Sequence, residues 1–174
     1  VPLYLKYLLF LLIVNSNPNI VANNTGPVCD GNNITLNSAG AVNYNWTGPA
    51  GFSAAIASPI IANISLANNG AYTVIGTDAN GCSDSAIINI VSFPSPTPLF
   101  SGTPLAGCIP LCVSLTDQST VIGSTISNWL WNVEGQSSST NQNDNFCFNS
   151  PGLYDVALTV TTVDGCSATL LITN

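Results

Sequence analysis

Six cysteines are the residues of this 174-residue chain with the clearest chemistry, and their spacing favours disulfide bonds over metal binding. The chain has no His and no Cys-x-x-Cys pair, and its closest two cysteines are Cys108 and Cys112 in CIPLC. A zinc site would therefore need four thiolates at finger-like spacing. We expect disulfides, an oxidising compartment such as the cell exterior, and neither a metal nor a cofactor.

The other polar residues are poorly suited to catalysis. Without His the chain lacks the commonest general base, and Lys6 is its only basic side chain. The Ser-rich stretch GQSSSTNQN therefore cannot form a nucleophile–base dyad or a triad. Paired carboxylates of the glycosidase type fit the composition, but no pattern places two acids in one cleft. We expect no enzymatic activity.

The charge balance excludes two classes of partner. Eight acidic residues and Lys6 give a net charge of -7, and charged residues make up only 5% of the chain. One basic residue cannot neutralise a phosphate backbone or hold the chain on anionic lipid, so we expect no nucleic-acid binding and no membrane-surface docking. Residues 1–16 begin with VPLYLKYLLFLLIV, which is too short to span a bilayer. They fit a secretory signal remnant, the edge of a fragment, or a strand shared with a neighbour.

The elements that position these residues are short strands. Alternating apolar residues run through NITLN, VNYNW and SAIINIV, and again through LCVSL, WLWNV and YDVALTV, with Gly, Asn or Pro turns between them. The order of features occurs twice, around a Pro-rich SFPSPTP. We predict an all-β fold of two tandem Ig-like β-sandwiches. The predicted boundaries are an apolar leader at 1–16, a sandwich at 17–92, a linker at 93–98 and a sandwich at 99–174.

A phrase in each half marks the penultimate strand. GAYTVIGTDANGC ends at Cys82 and GLYDVALTVTTVDGC ends at Cys166. Gly-x-Tyr-x-Val at this place indicates a tyrosine corner, in which the ring packs inward and the hydroxyl bonds upstream backbone. We assign this role to Tyr72 and Tyr154. Trp46 and Trp131 occupy the core position of the third strand, and Trp129 has the parity of Trp131 and caps the same core.

The cysteine positions predict three bonds. Cys29 and Cys108 open the two halves, so we expect Cys29–Cys82 and Cys108–Cys166 to tie each entry to its last hairpin. Cys112 alternates with inward Leu111 and Val113, and Cys147 lies between inward Phe146 and Phe148, so both point outward. If their strands are neighbours, Cys112 pairs with Cys147. The alternative, Cys108 with Cys112, would close a strained loop that contains Pro110.

The second half resembles a PKD-type domain, over residues 94 to 174. The resemblance lies in PTPLFSGTPLAGCIPLCVSLTDQS, SNWLWNVEGQSSSTNQN and PGLYDVALTVTTVDGCS. It departs at the W-x-F-G-D-G hallmark, which reads Trp131–Gln136 as WNVEGQ. The first half carries GPVCDGNNITLNSAG, YNWTGPAGFS and GAYTVIGTDANGCS. In these stretches it resembles the Ig-like modules that precede PKD modules in large bacterial surface adhesins of the type IX secretion and gliding kind. The resemblance implies a non-catalytic extracellular module.

Several polar residues are candidates for calcium binding or glycosylation, and for some of them a purely structural role in turns is the simpler interpretation. Acidic side chains could bind calcium, but no stretch has the density of a calcium loop, and Asp and Asn before Gly are ordinary turn formers. Asp84-Ser85-Ala86 resembles the O-glycosylation acceptor of bacteria that use type IX secretion, which makes Ser85 a candidate acceptor. The calcium candidates are Asp78 with Asn80, Asp117, Asp155 and Asp164. N-glycosylation sequons occur at Asn23, Asn33, Asn45 and Asn63.

The leading hypothesis is a structural and adhesive module of a larger bacterial surface or secreted protein. Its partners would be neighbouring domains of the same polypeptide, together with cell-surface glycans or proteins, and no ligand-binding residue is identifiable. One alternative is a carbohydrate-binding accessory of a secreted hydrolase, which requires exposed aromatics such as Trp129 and Tyr44. Another is a self-assembling surface filament, in which the apolar leader is donated to the next molecule.

Overall fold

A computed structural model of the protein describes residues 12–173, and these residues form an all-β structure of short strands. The leader prediction lies largely outside the described residues, and Leu12, Ile13 and Val14 are exposed. No helix among the described residues is long and apolar enough to cross a membrane. The strands are β1 Val21–Asn24, β2 Val28–Cys29, β3 Ile34–Ala39, β4 Asn43–Thr47, β5 Ser53–Ala54, β6 Ile60–Ile61, β7 Gly70–Thr77, β8 Ser83–Ile90, β9 Ser92–Phe93, β10 Phe100–Thr103, β11 Leu111–Asp117, β12 Ile126–Val133, β13 Asp144–Phe148, β14 Val156–Thr162 and β15 Ser167–Ile172.

Strands β1 to β9 form the N-terminal sandwich. One sheet has the order β1-β3-β6 and the other the order β5-β4-β7-β8, with all pairs antiparallel. Strand β2 pairs in parallel with β9, which places Cys29 beside Phe93. Two short 3₁₀ turns, Pro49–Gly51 and Leu66–Asn68, connect strands.

Strands β10 to β15 form the C-terminal sandwich. Its sheets have the orders β10-β11-β13 and β12-β14-β15, again antiparallel throughout. The strand order of β12-β14-β15 repeats that of β4-β7-β8, and β10-β11-β13 repeats β1-β3-β6. The structure therefore confirms the predicted fold class of two tandem β-sandwiches.

Each sandwich has its own hydrophobic core, built by the period-two alternation of its strands. In β7 the buried residues are Tyr72, Val74 and Gly76, while Ile75 between them is exposed. The buried apolar residues of the N-terminal core are Ile34, Leu36, Trp46, Ile61, Ile64, Tyr72, Val74 and Ile90. Those of the C-terminal core are Leu115, Trp131, Val133, Phe146, Phe148, Leu158 and Val160.

Candidate functional site

The repeated Tyr makes the same contact in both sandwiches. The Tyr72 hydroxyl donates to the Asn68 carbonyl at 2.9 Å, and the Tyr154 hydroxyl donates to the Ser150 carbonyl at 2.7 Å. Both bonds reach four residues upstream, as in a tyrosine corner. Burial raises the pKa of Tyr72, and the hydrogen bond to Asn68 only partly offsets that effect. The repeated phrase therefore fixes backbone geometry where each last hairpin begins.

The tryptophans are structural. Trp46 and Trp131 are fully buried, and Trp131 Nε1 donates to the Asn141 carbonyl at 3.0 Å. Half-buried Trp129 packs against the C-terminal core and donates from Nε1 to Asp117 Oδ2 at 2.8 Å. Tyr44, also half-buried, packs against the N-terminal core, and its hydroxyl donates to the Ala41 carbonyl.

No aromatic side chain among residues 12–173 is exposed: each Phe, Tyr and Trp is buried or half-buried. The exposed large apolar residues are aliphatic, for example Val42, Leu105, Ile122 and Leu153. The described surface therefore presents aliphatic rather than fully exposed aromatic side chains.

Two carboxylates in the C-terminal sandwich are held by polar neighbours. Burial alone would raise the pKa of Asp117, but hydrogen bonds from Ser119, Trp129 and Gln142 outweigh it and leave that pKa below its ordinary value. Hydrogen bonds from Ser139, the Asn145 amide and Asn141 lower the pKa of Asp144. Asp117 thereby links the end of β11 to β12.

The acidic candidates for calcium lie apart. No group of three or more His, Cys, Asp or Glu side chains in the described part of the chain could hold a metal ion. Asp78 Oδ1 accepts from the Asn80 and Cys82 amides at 2.9 Å each, which is the bonding of a turn former. Asp164 Oδ2 accepts from the Ser124 hydroxyl, and the Asp155 amide donates to Glu134.

The predicted glycosylation positions are all accessible. Ser85 is exposed on β8, and its amide donates to Asp84 Oδ1 at 2.8 Å. The four sequon asparagines are exposed as well: Asn23, Asn33, Asn45 and Asn63.

One disulfide lies on the outer face of the C-terminal sandwich. Cys112 on β11 and Cys147 on β13 face each other in register and are bonded. This is the pair that strand alternation predicts, and the Cys108–Cys112 alternative does not occur. The bond joins two neighbouring strands of one sheet.

The other disulfide corrects the sequence prediction. Cys29 is bonded to Cys166, with 5.6 Å between their Cα atoms and a sequence separation of 137. The expected bonds Cys29–Cys82 and Cys108–Cys166 are therefore wrong. Cys82 and Cys108 carry no disulfide among the described residues.

The length of the strands keeps Cys29 away from Cys82. Cys29 lies beside Phe93, just past the end of β8, where Ile90 pairs with Gly70. Cys82 lies at the opposite end of the β7–β8 hairpin, beyond the pair Thr77↔Ser83. Eight residues of strand separate the two ends by about 25 Å, whereas disulfide Cα atoms lie within about 7 Å. Counting the strand reversals along the chain would have revealed this.

The junction between the sandwiches is also closed by hydrogen bonds. The Asp30 amide donates to the Phe93 carbonyl at 2.8 Å, and the Ser95 hydroxyl donates to the Asp30 carbonyl at 3.2 Å. Thr97 and Thr120 exchange two backbone hydrogen bonds of 2.7 and 3.0 Å. Pro96, which lies between Ser95 and Thr97 in sequence, is buried. The Pro-rich segment is therefore bonded to both sandwiches, and the fully buried Cys166 lies with its Sγ 3.8 Å from the Phe93 carbonyl oxygen.

Comparisons with known proteins give structural likenesses only. No family model and no curated protein matches the chain. The PKD1 domain of the Vibrio cholerae metalloprotease PrtV is similar at 26% identity over 46% of this chain and 94% of that one, with a TM-score of 0.41. The PKD1 domain of Vibrio anguillarum Epp is similar at 22% identity over 46% and 90%, also with a TM-score of 0.41. Fibronectin(III)-like modules of Clostridium thermocellum CbhA are similar at 12% identity over 87% and 91%, with a TM-score of 0.42. These scores are low, so the description of the fold rests on strand order and register.

Proposed function

We propose that this chain is a non-catalytic, extracellular structural and adhesion module that acts as a stiff two-domain segment. The observation that carries the proposal is the Cys29–Cys166 bond, which crosses from one sandwich to the other. Together with the bonded linker it removes the hinge that a short connection between domains ordinarily provides. Disulfides also favour an oxidising, extracellular setting. The proposed domains are residues 17–92 and 99–174, with 93–98 as the linker.

The finer context rests on the sequence resemblance. It supports a place in a larger bacterial surface or secreted protein, of the adhesin type associated with type IX secretion and gliding. A stiff segment suits this role because it holds a binding surface away from the cell. The shortage of Lys and Arg, with Lys6 alone, leaves trypsin-like proteases a single cleavage residue in the chain. Modification at Ser85 belongs to the same proposal.

The carbohydrate-binding alternative is disfavoured by the burial of Trp129 and Tyr44, which pack against the two cores. The filament alternative, in the form of a donated leader strand, depends mainly on residues outside the described range. Deleting residues 1–16 and measuring oligomer size tests it, because strand donation requires that segment.

Small-angle X-ray scattering tests the stiffness. The sample is the full chain carrying C82S and C108S, which removes the two unbonded thiols. It is compared with the same chain that also carries C29S and C166S. We expect a single narrow distribution of inter-sandwich distances for the chain that keeps the Cys29–Cys166 disulfide. We expect a broader distribution for the chain that lacks it. Equal breadth in both chains would contradict the proposal.

A further inference from the structure

The turn that presents Cys166 is repeated at Cys82. The Thr162 amide donates to the Cys166 carbonyl at 2.9 Å, and the Cys166 amide donates back to Thr162 Oγ1 at 3.1 Å. In the N-terminal sandwich the Asp78 amide donates to the Cys82 carbonyl at 2.9 Å, and the Cys82 amide donates back to Asp78 Oδ1 at 2.9 Å. The Gly before each Cys has nearly the same positive φ, 84° at Gly81 and 86° at Gly165. Cys82 is therefore held in the geometry of the bonded Cys166.

Cys29, the other cysteine of the Cys29–Cys166 disulfide (the staple), also has a counterpart in the C-terminal sandwich. Cys29 lies seven residues before Leu36, and Cys108 lies seven residues before Leu115. Both leucines are buried, and both pair with the first strand of their sandwich, opposite Asn24 and Gly102. Cys108 is thus the C-terminal counterpart of Cys29.

These two unbonded cysteines lie at opposite ends of the pair of sandwiches. Cys29 and Cys166 meet at the junction, so the Cys82 turn lies at the far end of the N-terminal sandwich. By the same strand geometry, the Cys108 segment lies at the far end of the C-terminal sandwich. Cys108 is exposed and Cys82 is half-exposed.

The surroundings of Cys108 are accessible and largely apolar. A cavity of about 950 Å³ opens at this end of the C-terminal sandwich, lined by Cys108 and by Phe100, Leu111, Phe148, Tyr154 and Ile172. The exposed Cys108 therefore lies on a surface that another sandwich could contact.

We propose that Cys108 of one copy of this chain forms a disulfide with Cys82 of a second copy, repeating the Cys29–Cys166 staple. This disulfide would repeat the staple at every junction of a head-to-tail array. The proposal rests on the proposed stiff module. The contact is heterologous, with a different surface on each partner, so it propagates as an open linear chain. Two thiols lose two protons and two electrons, and a small-molecule disulfide such as oxidised glutathione accepts them and becomes two thiols.

Covalent assembly of the full chain tests the proposal. The wild-type protein is held at about 1 mM in a glutathione redox buffer, because an untethered partner must match the millimolar effective concentration of a short linker. We expect a ladder of multimers on non-reducing gels that collapses with reductant. C82S and C108S each leave one unbonded cysteine per chain. A chain with one such thiol can bond to only one other chain, so neither variant alone should extend beyond a dimer.

The decisive sample is an equimolar mixture of ¹⁵N-labelled C82S and unlabelled C108S, each with one unbonded cysteine. Random pairing would make half of all dimers mixed, and the proposal requires a clear majority of mixed dimers bonded Cys108–Cys82. A random ratio, an excess of symmetric dimers, or no dimers at all would overturn it. C112S/C147S is the control and should still form the ladder.

Peptide mapping separates this failure from failure of the proposed function. Pepsin is the protease of choice, because Lys6 gives trypsin a single cleavage residue and acid suppresses disulfide exchange. Loss of the Cys29–Cys166 peptide would contradict the stiff module itself. Retention of that peptide without Cys82–Cys108 would contradict only the array.

Discussion

Cys29 and Cys166 belong to different sandwiches and are joined by a disulfide at a sequence separation of 137. The bond connects the end of the N-terminal sandwich where β2 meets β9 to the last hairpin turn of the C-terminal one. Two cores that share no buried residue are thereby linked covalently at their junction.

Removing the Cys29–Cys166 bond should destabilise the protein more than removing the Cys112–Cys147 bond. In the chain-entropy model a loop of this length constrains the unfolded chain by about 5 kcal/mol, and the 35-residue loop between Cys112 and Cys147 by about 4 kcal/mol. We expect C29S/C166S to lower the free energy of unfolding and to let the two sandwiches unfold separately. C112S/C147S should affect the C-terminal sandwich alone. Urea denaturation followed by Trp fluorescence measures both, and an unchanged midpoint for C29S/C166S would contradict the prediction.

Gly48 should not tolerate a side chain. A Cβ at this position would lie 2.3 Å from the ring of fully buried Tyr72. We expect G48A to cost about 1–3 kcal/mol in the N-terminal sandwich, because the ring must shift within a packed core. G152A is the matched control, since its Cβ would lie at an ordinary 3.6 Å from Tyr154. Denaturant midpoints compare the two, and equal costs would contradict the packing argument.

The acid sensitivity of the C-terminal sandwich should depend on Asp117. Its pKa in the folded protein lies below the ordinary value of 3.8, so its contribution is present above that value and is lost as the pH falls through the folded pKa. D117N cannot titrate there, so its stability should change less with pH below about 4. Midpoints of urea denaturation at several acidic pH values test this, with exposed Asp84→Asn as the control. Parallel pH profiles for D117N and the wild type would contradict the prediction.

Tyr72 should make the N-terminal sandwich sensitive to alkali. Its pKa is raised above the ordinary value of 10.0, so its contribution is complete below that value and is lost as the pH rises through the folded pKa. Y72F removes the hydrogen bond to Asn68 and should cost about 1 kcal/mol at neutral pH. The same variant should flatten the alkaline loss of stability. Midpoints of urea denaturation at several pH values above about 10 test this, and the same alkaline loss in Y72F as in the wild type would contradict it.

Local features of the fold were predictable from local sequence. The Gly-x-Tyr-x-Val phrase places Tyr72 and Tyr154, and the alternation of side chains buries Trp46 and Trp131. Cys112 and Cys147 follow from the same alternation, because neighbouring strands bring outward residues together. Each of these depends on a few adjacent residues and on the pleat of a strand.

The sequence by itself determined the all-β class, the tandem pair of sandwiches and several of their core residues, because period-two alternation and turn residues act over short distances. Only the tertiary structure decided how one sandwich stacks on the next, and hence that Cys29 meets Cys166 and leaves Cys82 and Cys108 unbonded. Stacking is a long-range property that no local pattern encodes, since a disulfide forms wherever the folded chain brings two thiols within reach.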